Sequence, residues 1–66
     1  MYAILHATFI YDLVGDVRLY IGPEHAQTER ELEVLTRAPR KPGGEISVFH
    51  VMPLGPKFRR FREENR

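Results

Sequence analysis

Residues 22–39, GPEHAQTERELEVLTRAP, decide how this chain folds, because they lie between two strand-like stretches and set how those can pair. Gly22-Pro23-Glu24 has the form of a helix start, with proline at the first helical position and acid in the first turn. Thr28 and Glu31 form a capping box that would start the helix later, and both starts stay open. Pro39 stops the segment, since proline cannot continue an α-helix. On a helical wheel Leu32, Leu35 and Ala38 share a face, Thr28 extends it and Val34 flanks it. Glu33 stands four residues before Arg37, a mildly favourable exposed pair. The stretch is read as one amphipathic helix, thinly supplied with large aliphatic residues.

Working outward, Tyr2 to Tyr11 (YAILHATFIY) is rich in aromatic and β-branched residues and apolar on both alternating sets, the pattern of a central strand. Asp12 to Asp16 gives a turn in which Gly15 is free to take positive φ. Val17, Leu19 and Ile21 then alternate with Arg18 and Tyr20, which completes a hairpin. Beyond the loop Arg40-Lys41-Pro42-Gly43-Gly44, Glu45 to Met52 (EISVFHVM) forms a third strand, ended by Pro53, Gly55 and Pro56. A helical crossover leaves strand three parallel to strand two. Pairing it with the free side of strand one gives the order 2-1-3. The expected class is α+β: a three-stranded antiparallel sheet with one helix on one face, over residues 1–54, followed by a basic tail at 55–66.

In that arrangement Leu5, Phe9, Val17, Leu19 and Ile21 lie under the helix, and Ala3 and Ala7 let it approach. The other face displays Tyr2, Ile4, His6, Thr8, Ile10, Arg18 and Tyr20. This is more aromatic and branched surface than a monomer leaves wet, so Tyr2, Ile4, His6, Ile10 and Tyr20 are the expected dimer face.

Composition points the same way. A 66-residue chain without cysteine has neither a disulfide nor a thiolate metal site to supplement a small core. Self-association is the remaining remedy. No stretch approaches the roughly 18 apolar residues that span a bilayer, which together with the missing cysteines points to a soluble, cytoplasmic protein. The net charge of +1 hides a sorted distribution. Asp12, Asp16, Glu24, Glu29, Glu31 and Glu33 outweigh Arg18 and Arg30 by four over residues 1–36. Arg37, Arg40, Lys41, Lys57, Arg59, Arg60 and Arg62 outweigh Glu45 by six over residues 37–62. One part of the surface is acidic and another basic.

No catalytic motif, metal-ligand spacing or cofactor loop accompanies this pattern. His6, His25 and His50 lack the spacings of known metal sites and read as half-exposed strand or loop histidines. Gly43-Gly44 reads as a turn before a strand, since no helix start follows that could hold a phosphate. The tail is the strongest candidate for binding. Phe58 and Phe61 stand three apart among Lys57, Arg59, Arg60 and Arg62, an amphipathic short helix with an aromatic stripe and a basic rim. Three roles remain open for it. It could lay its aromatic stripe in a groove on a protein partner. It could follow phosphates with the rings stacked on unpaired bases, helped by Arg40 and Lys41. Or its phenylalanines could pack under the open sheet face of the same or a neighbouring copy.

The layout resembles the very small phage-encoded inhibitors of bacterial RNA polymerase. The matching run is strand VRLYI, acidic segment ERELEVL, strand EISVFHVM and then PLGPK, Val17 to Lys57. The resemblance implies contact through an acidic helix and the strand edge beside it; the Arg- and Phe-bearing tail departs from that pattern. The expected function is a small non-catalytic binding protein, a regulatory or inhibitory protein–protein module of phage or bacterial type. It would act without cofactor, metal, membrane or small-molecule substrate, and as a homo-oligomer or with a protein partner. Single-stranded nucleic-acid binding is the alternative.

Overall fold

The computed structural model describes all 66 residues, Met1–Arg66. In chain order the elements are α1 (Tyr2–Leu5), β1 (Phe9–Asp12), β2 (Val17–Pro23), β3 (Glu31–Arg37), β4 (Ser47–Pro53) and α2 (Pro56–Glu64). The strands form one antiparallel meander in the order β1-β2-β3-β4.

This overturns the three-stranded sheet of order 2-1-3 with a single helix. The segment expected to be a helix supplies β3, which pairs Leu19↔Leu35, Tyr20↔Val34 and Gly22↔Leu32 with β2. The physical reason lies in an ambiguity of period. Leu32 and Leu35 share a helical face, but Leu32, Val34 and Thr36 also share a strand face, and a short apolar run fits either period. As a strand the segment places Val34 against Tyr20 on one face and Leu35 beside Leu19 on the other, so both sheet faces gain apolar contact. The supposed helix start serves as a connection: the Glu24 N–H donates to the Arg30 carbonyl at 2.9 Å. The Arg30 N–H donates to Thr28 Oγ1 at 3.1 Å, a local turn in place of a helix cap. Without a crossover helix nothing makes strands parallel, and each strand pairs with its chain neighbour. The acidic helix that carried part of the resemblance to polymerase inhibitors is therefore absent.

The long first strand divides as well. Tyr2–Leu5 winds into one helical turn, and the rings of Tyr2 and His6 stack at 4.1 Å, one turn apart. Pairing begins only where the Thr8 N–H donates to the Ile21 carbonyl at 2.8 Å. Gly22 permits this packing, because a Cβ there would stand 3.0 Å from the Ala7 Cα and collide with the Ala3 carbonyl. Ala3 is fully buried between α1 and the sheet. The β1–β2 hairpin forms around Gly15 and Asp16, at φ 74° and 62°.

The two helices lie on opposite faces. Beneath α1, Ala3, Tyr20 and Val34 pack with Ile4, Ala7 and Leu32. Beneath α2, Leu19, Ile21 and Leu54 pack with Phe9, Leu13, Leu35, Phe58 and Phe61. The face expected to lie open for a dimer is thus covered by the chain's own first turn. Tyr20 is buried, Tyr2 and Ile4 are half-buried, and only His6 and Ile10 of that set stay exposed. Just ten of 66 residues are buried, so two thin half-cores replace the single core a larger domain would build. No helix is long and apolar enough to cross a membrane.

Candidate interaction surface

The strand β4 is an outer strand that no helix covers. Along it Ile46, Val48, Phe49, Val51 and Met52 each stand between 44% and 58% exposed. From Ile46 to Pro56 there is no Asp, Glu, Lys or Arg, the residues that ordinarily guard a sheet edge. Its backbone is interrupted in two places. The register passes from Leu35↔His50 to Thr36↔Val48, which leaves Phe49 as the extra residue of a β-bulge. At the other end, the Leu54 N–H donates to the Glu31 carbonyl at 2.9 Å. Alternation from that bond turns the nitrogen of Pro53 and both backbone groups of Val51 outward. Pro53 has no N–H to leave unpaired there. Val51 therefore presents a free donor and acceptor between a bulge and a proline.

The molecule is also flatter and more exposed than its mass requires. Its accessible surface is 4991 Å² for 7.7 kDa, against about 4,300 Å² for a typical monomer of that mass. The Cα radius of gyration is 12.0 Å, against about 11 Å for a compact chain of this length. Exposed apolar side chains of β4 and the loop before it are part of that surface, with Leu5 and Val14 elsewhere.

The tail residues behave differently from one another. Phe58 and Phe61 are half-buried against the sheet, and Phe61 meets Tyr11 edge-on at 4.8 Å. Arg62 is buried and its Nη1 donates to Glu31 Oε2 at 2.7 Å, while its Nε makes no hydrogen bond and stands 3.9 Å from Glu63 Oε1. That hydrogen bond to Glu31 raises the Arg62 pKa despite burial. Lys57, Arg59 and Arg60 stay exposed, with the Lys57 ammonium 5.3 Å from the Phe58 ring centre. Arg40 and Lys41 are exposed in the loop after β3. Antiparallel pairing puts that loop and the Lys57 end of β4 at opposite ends of the sheet. The basic residues are thereby divided, and one member of the set is already engaged by Glu31.

The sequence pattern did not disclose how α2 is fastened. Glu33, assigned to a solvated helix face, is 5% exposed. Its Oε1 accepts the Gly55 N–H at 2.8 Å and its Oε2 accepts His50 Nε2–H at 2.8 Å. Gly55 is the N-cap of α2, so the carboxylate sits at the positive end of that helix. Only knowledge of the β3–β4 pairing brings Glu33 and His50 together across 17 residues of sequence. The apolar β4 surface was legible in part: Pro53 at a strand end is itself an edge signal.

The remaining histidines serve local structure. His6 stacks on Tyr2, and His25 Nδ1 accepts the Gln27 N–H at 3.2 Å. A groove of about 540 Å³ runs between the β1–β2 turn and the loop after β3, with Arg18, Tyr20 and Thr36 among its lining residues. Arg18 is held by Asp12, whose hydrogen bond raises the arginine pKa, with Tyr20 adding to the effect. Asp12 and Asp16 leave the groove without the net positive charge an anion would need. Comparison with family models, curated proteins and solved structures gave no match to this chain.

Proposed function

We propose that this chain is a small non-catalytic protein-binding module of regulatory or inhibitory kind, and that its contact surface is β4. The observation that carries this reading is the uncharged, half-exposed apolar strand Ile46–Met52 at a sheet edge, on a molecule with more surface than its mass requires. Apolar exposure concentrated in one patch marks a protein contact. An edge strand supplies backbone hydrogen bonds and side chains on alternating sides to such a contact. The acid and imidazole that the fold brings together, Glu33 and His50, have structural duties. Both oxygens of Glu33 are occupied, and no hydroxyl is hydrogen-bonded to His50.

The test compares the chain with Val48→Asp, which places a charge in the patch at a half-exposed site. Proteins retained from a cell extract by the parent and released by Val48→Asp support the reading, provided both have the same far-UV circular dichroism. Equal recovery by both removes β4 from the contact. Binding of single-stranded RNA or DNA that weakens steeply with salt would instead favour a nucleic-acid role for Lys57, Arg59 and Arg60.

A further inference from the structure

We infer that the protein which covers β4 is a second copy of this chain, paired antiparallel about a two-fold axis through Val51; this rests on the proposal that β4 is a protein-binding surface. Four observations converge on it.

The first is area. Against the typical monomer surface, the 4991 Å² of this chain is in excess by about 700 Å². One partner's share of a standard interface is about 800 Å². A second copy would bring the surface per chain back to the monomer range.

The second is charge. An isologous contact sets each residue near the axis against its own kind, so a charge in the middle of the patch would repel itself. The run from Ile46 to Pro56 contains no such charge, and its one ionisable side chain, His50, is engaged by Glu33. Antiparallel pairing also carries the Glu45 end of one strand toward the Lys57 end of the other.

The third is register. The bulge at Phe49 and the missing N–H of Pro53 leave Val51 as the outward donor and acceptor between them. Paired with its own copy, Val51 gives and receives one backbone hydrogen bond in each direction. A shift of two residues either way sets the proline or the bulge against Val51, whereas this register sets the proline and the bulge against each other, two residues out from the axis.

The fourth is closure. The combined sheet would run β1-β2-β3-β4 and back, and its outer edges would be the four-residue strands β1. Short edges do not propagate, so the contact ends at two copies.

Sedimentation velocity of the full chain from low micromolar to near-millimolar concentration tests this, together with Val51→Pro and Val48→Asp. The Val51 N–H does not bond to β3, so proline there spares the internal ladder while removing the symmetric pair. Twice the chain mass is expected for the parent. Val51→Pro should raise the dissociation constant about tenfold or more, with unchanged circular dichroism. Leu5→Asp, on α1, should remain dimeric, and amide exchange at Val51 should slow as the parent dimerises. If Val51→Pro does not fold, Val48→Asp and the Val51 exchange rate decide the matter alone. A parent that stays monomeric throughout overturns the inference, as does a dimer unaffected by both β4 variants. A monomeric parent that still loses an extract partner on Val48→Asp would leave the binding-module reading standing; loss of both would refute both.

Discussion

Replacing Glu33 with alanine should destabilise this protein more than any other single change to a charged residue. The carboxylate is 5% exposed and accepts two hydrogen bonds of 2.8 Å, from the Gly55 N–H and from His50 Nε2. A hydrogen bond to a charged group contributes about 1.5–3 kcal/mol. The His50 side chain is 33% exposed and can turn to water, so its share is the smaller. The Gly55 N–H has no such escape. The carboxylate also faces the N-terminus of α2, worth a further 0.3–1 kcal/mol or so. Glu33→Ala should therefore cost about 2–4 kcal/mol in sum. A chain of this length has only about 3–10 kcal/mol of stability in all. The melting temperature should fall by about 10–30 °C.

Glu33→Gln separates geometry from charge. Its amide oxygen can still accept the Gly55 N–H, and its NH₂ can donate to Nε2 of a neutral His50. It should cost less than half as much as alanine. Urea denaturation followed by circular dichroism, at one fixed protein concentration because self-association shifts apparent stability, gives both values. A Glu33→Ala loss within about 0.5 kcal/mol of zero, the range of an ordinary surface change, would refute the account of how α2 is fastened. Equal losses for alanine and glutamine would refute the isosteric argument.

Gly22→Ala should displace α1, since the new methyl would collide with the Ala3 carbonyl; increased amide exchange across Ala3–Ala7, with β3 protection retained, would confirm it. Phe61→Ala removes edge contacts to Tyr11, Phe9 and Phe58 and, for a half-buried ring, should cost about 2 kcal/mol in a urea titration. Arg62→Met should cost about 1–3 kcal/mol at neutral pH, because Glu31 loses its partner. The sign of the Arg62 pKa shift fixes its behaviour from neutral pH upward: a raised value keeps the guanidinium's contribution whole up to the unfolded-state pKa and loses it only as pH rises through the higher folded value. Its contribution should therefore stay level until strongly alkaline pH, as denaturation midpoints across that range would show. Asp12→Ala breaks an exposed pair with Arg18 and should change stability by less than about 0.5 kcal/mol.

Local pattern carried the elements whose chemistry is complete within a few residues. The β1–β2 hairpin is one, because Gly15 can take the positive φ that its turn needs. The strand ending at Pro53 is another, since proline has no N–H to continue a ladder. Two segments lay beyond such signals. Glu31–Arg37 satisfies both the helical and the strand period, and the choice fell to β2 and β4, which hydrogen-bond it from both sides and set Val34 and Leu35 on opposite faces, each in an apolar cluster. Tyr2–Leu5 had strand composition, yet Gly22 on β2 leaves the hollow into which Ala3 fits as a helical turn.

The site followed the same division. Composition alone established a chain with a small core and sorted charge. Which apolar surface stays exposed could be decided only by the assembled sheet, because exposure belongs to a strand's neighbours and not to its residues. With α1 and α2 seated over β2 and β3, the face around Tyr20 is closed and β4 is left bare. Glu33 shows the same dependence: its charge is evident in the sequence, but its task is set by His50 and Gly55, which reach it only once β3 and β4 are paired.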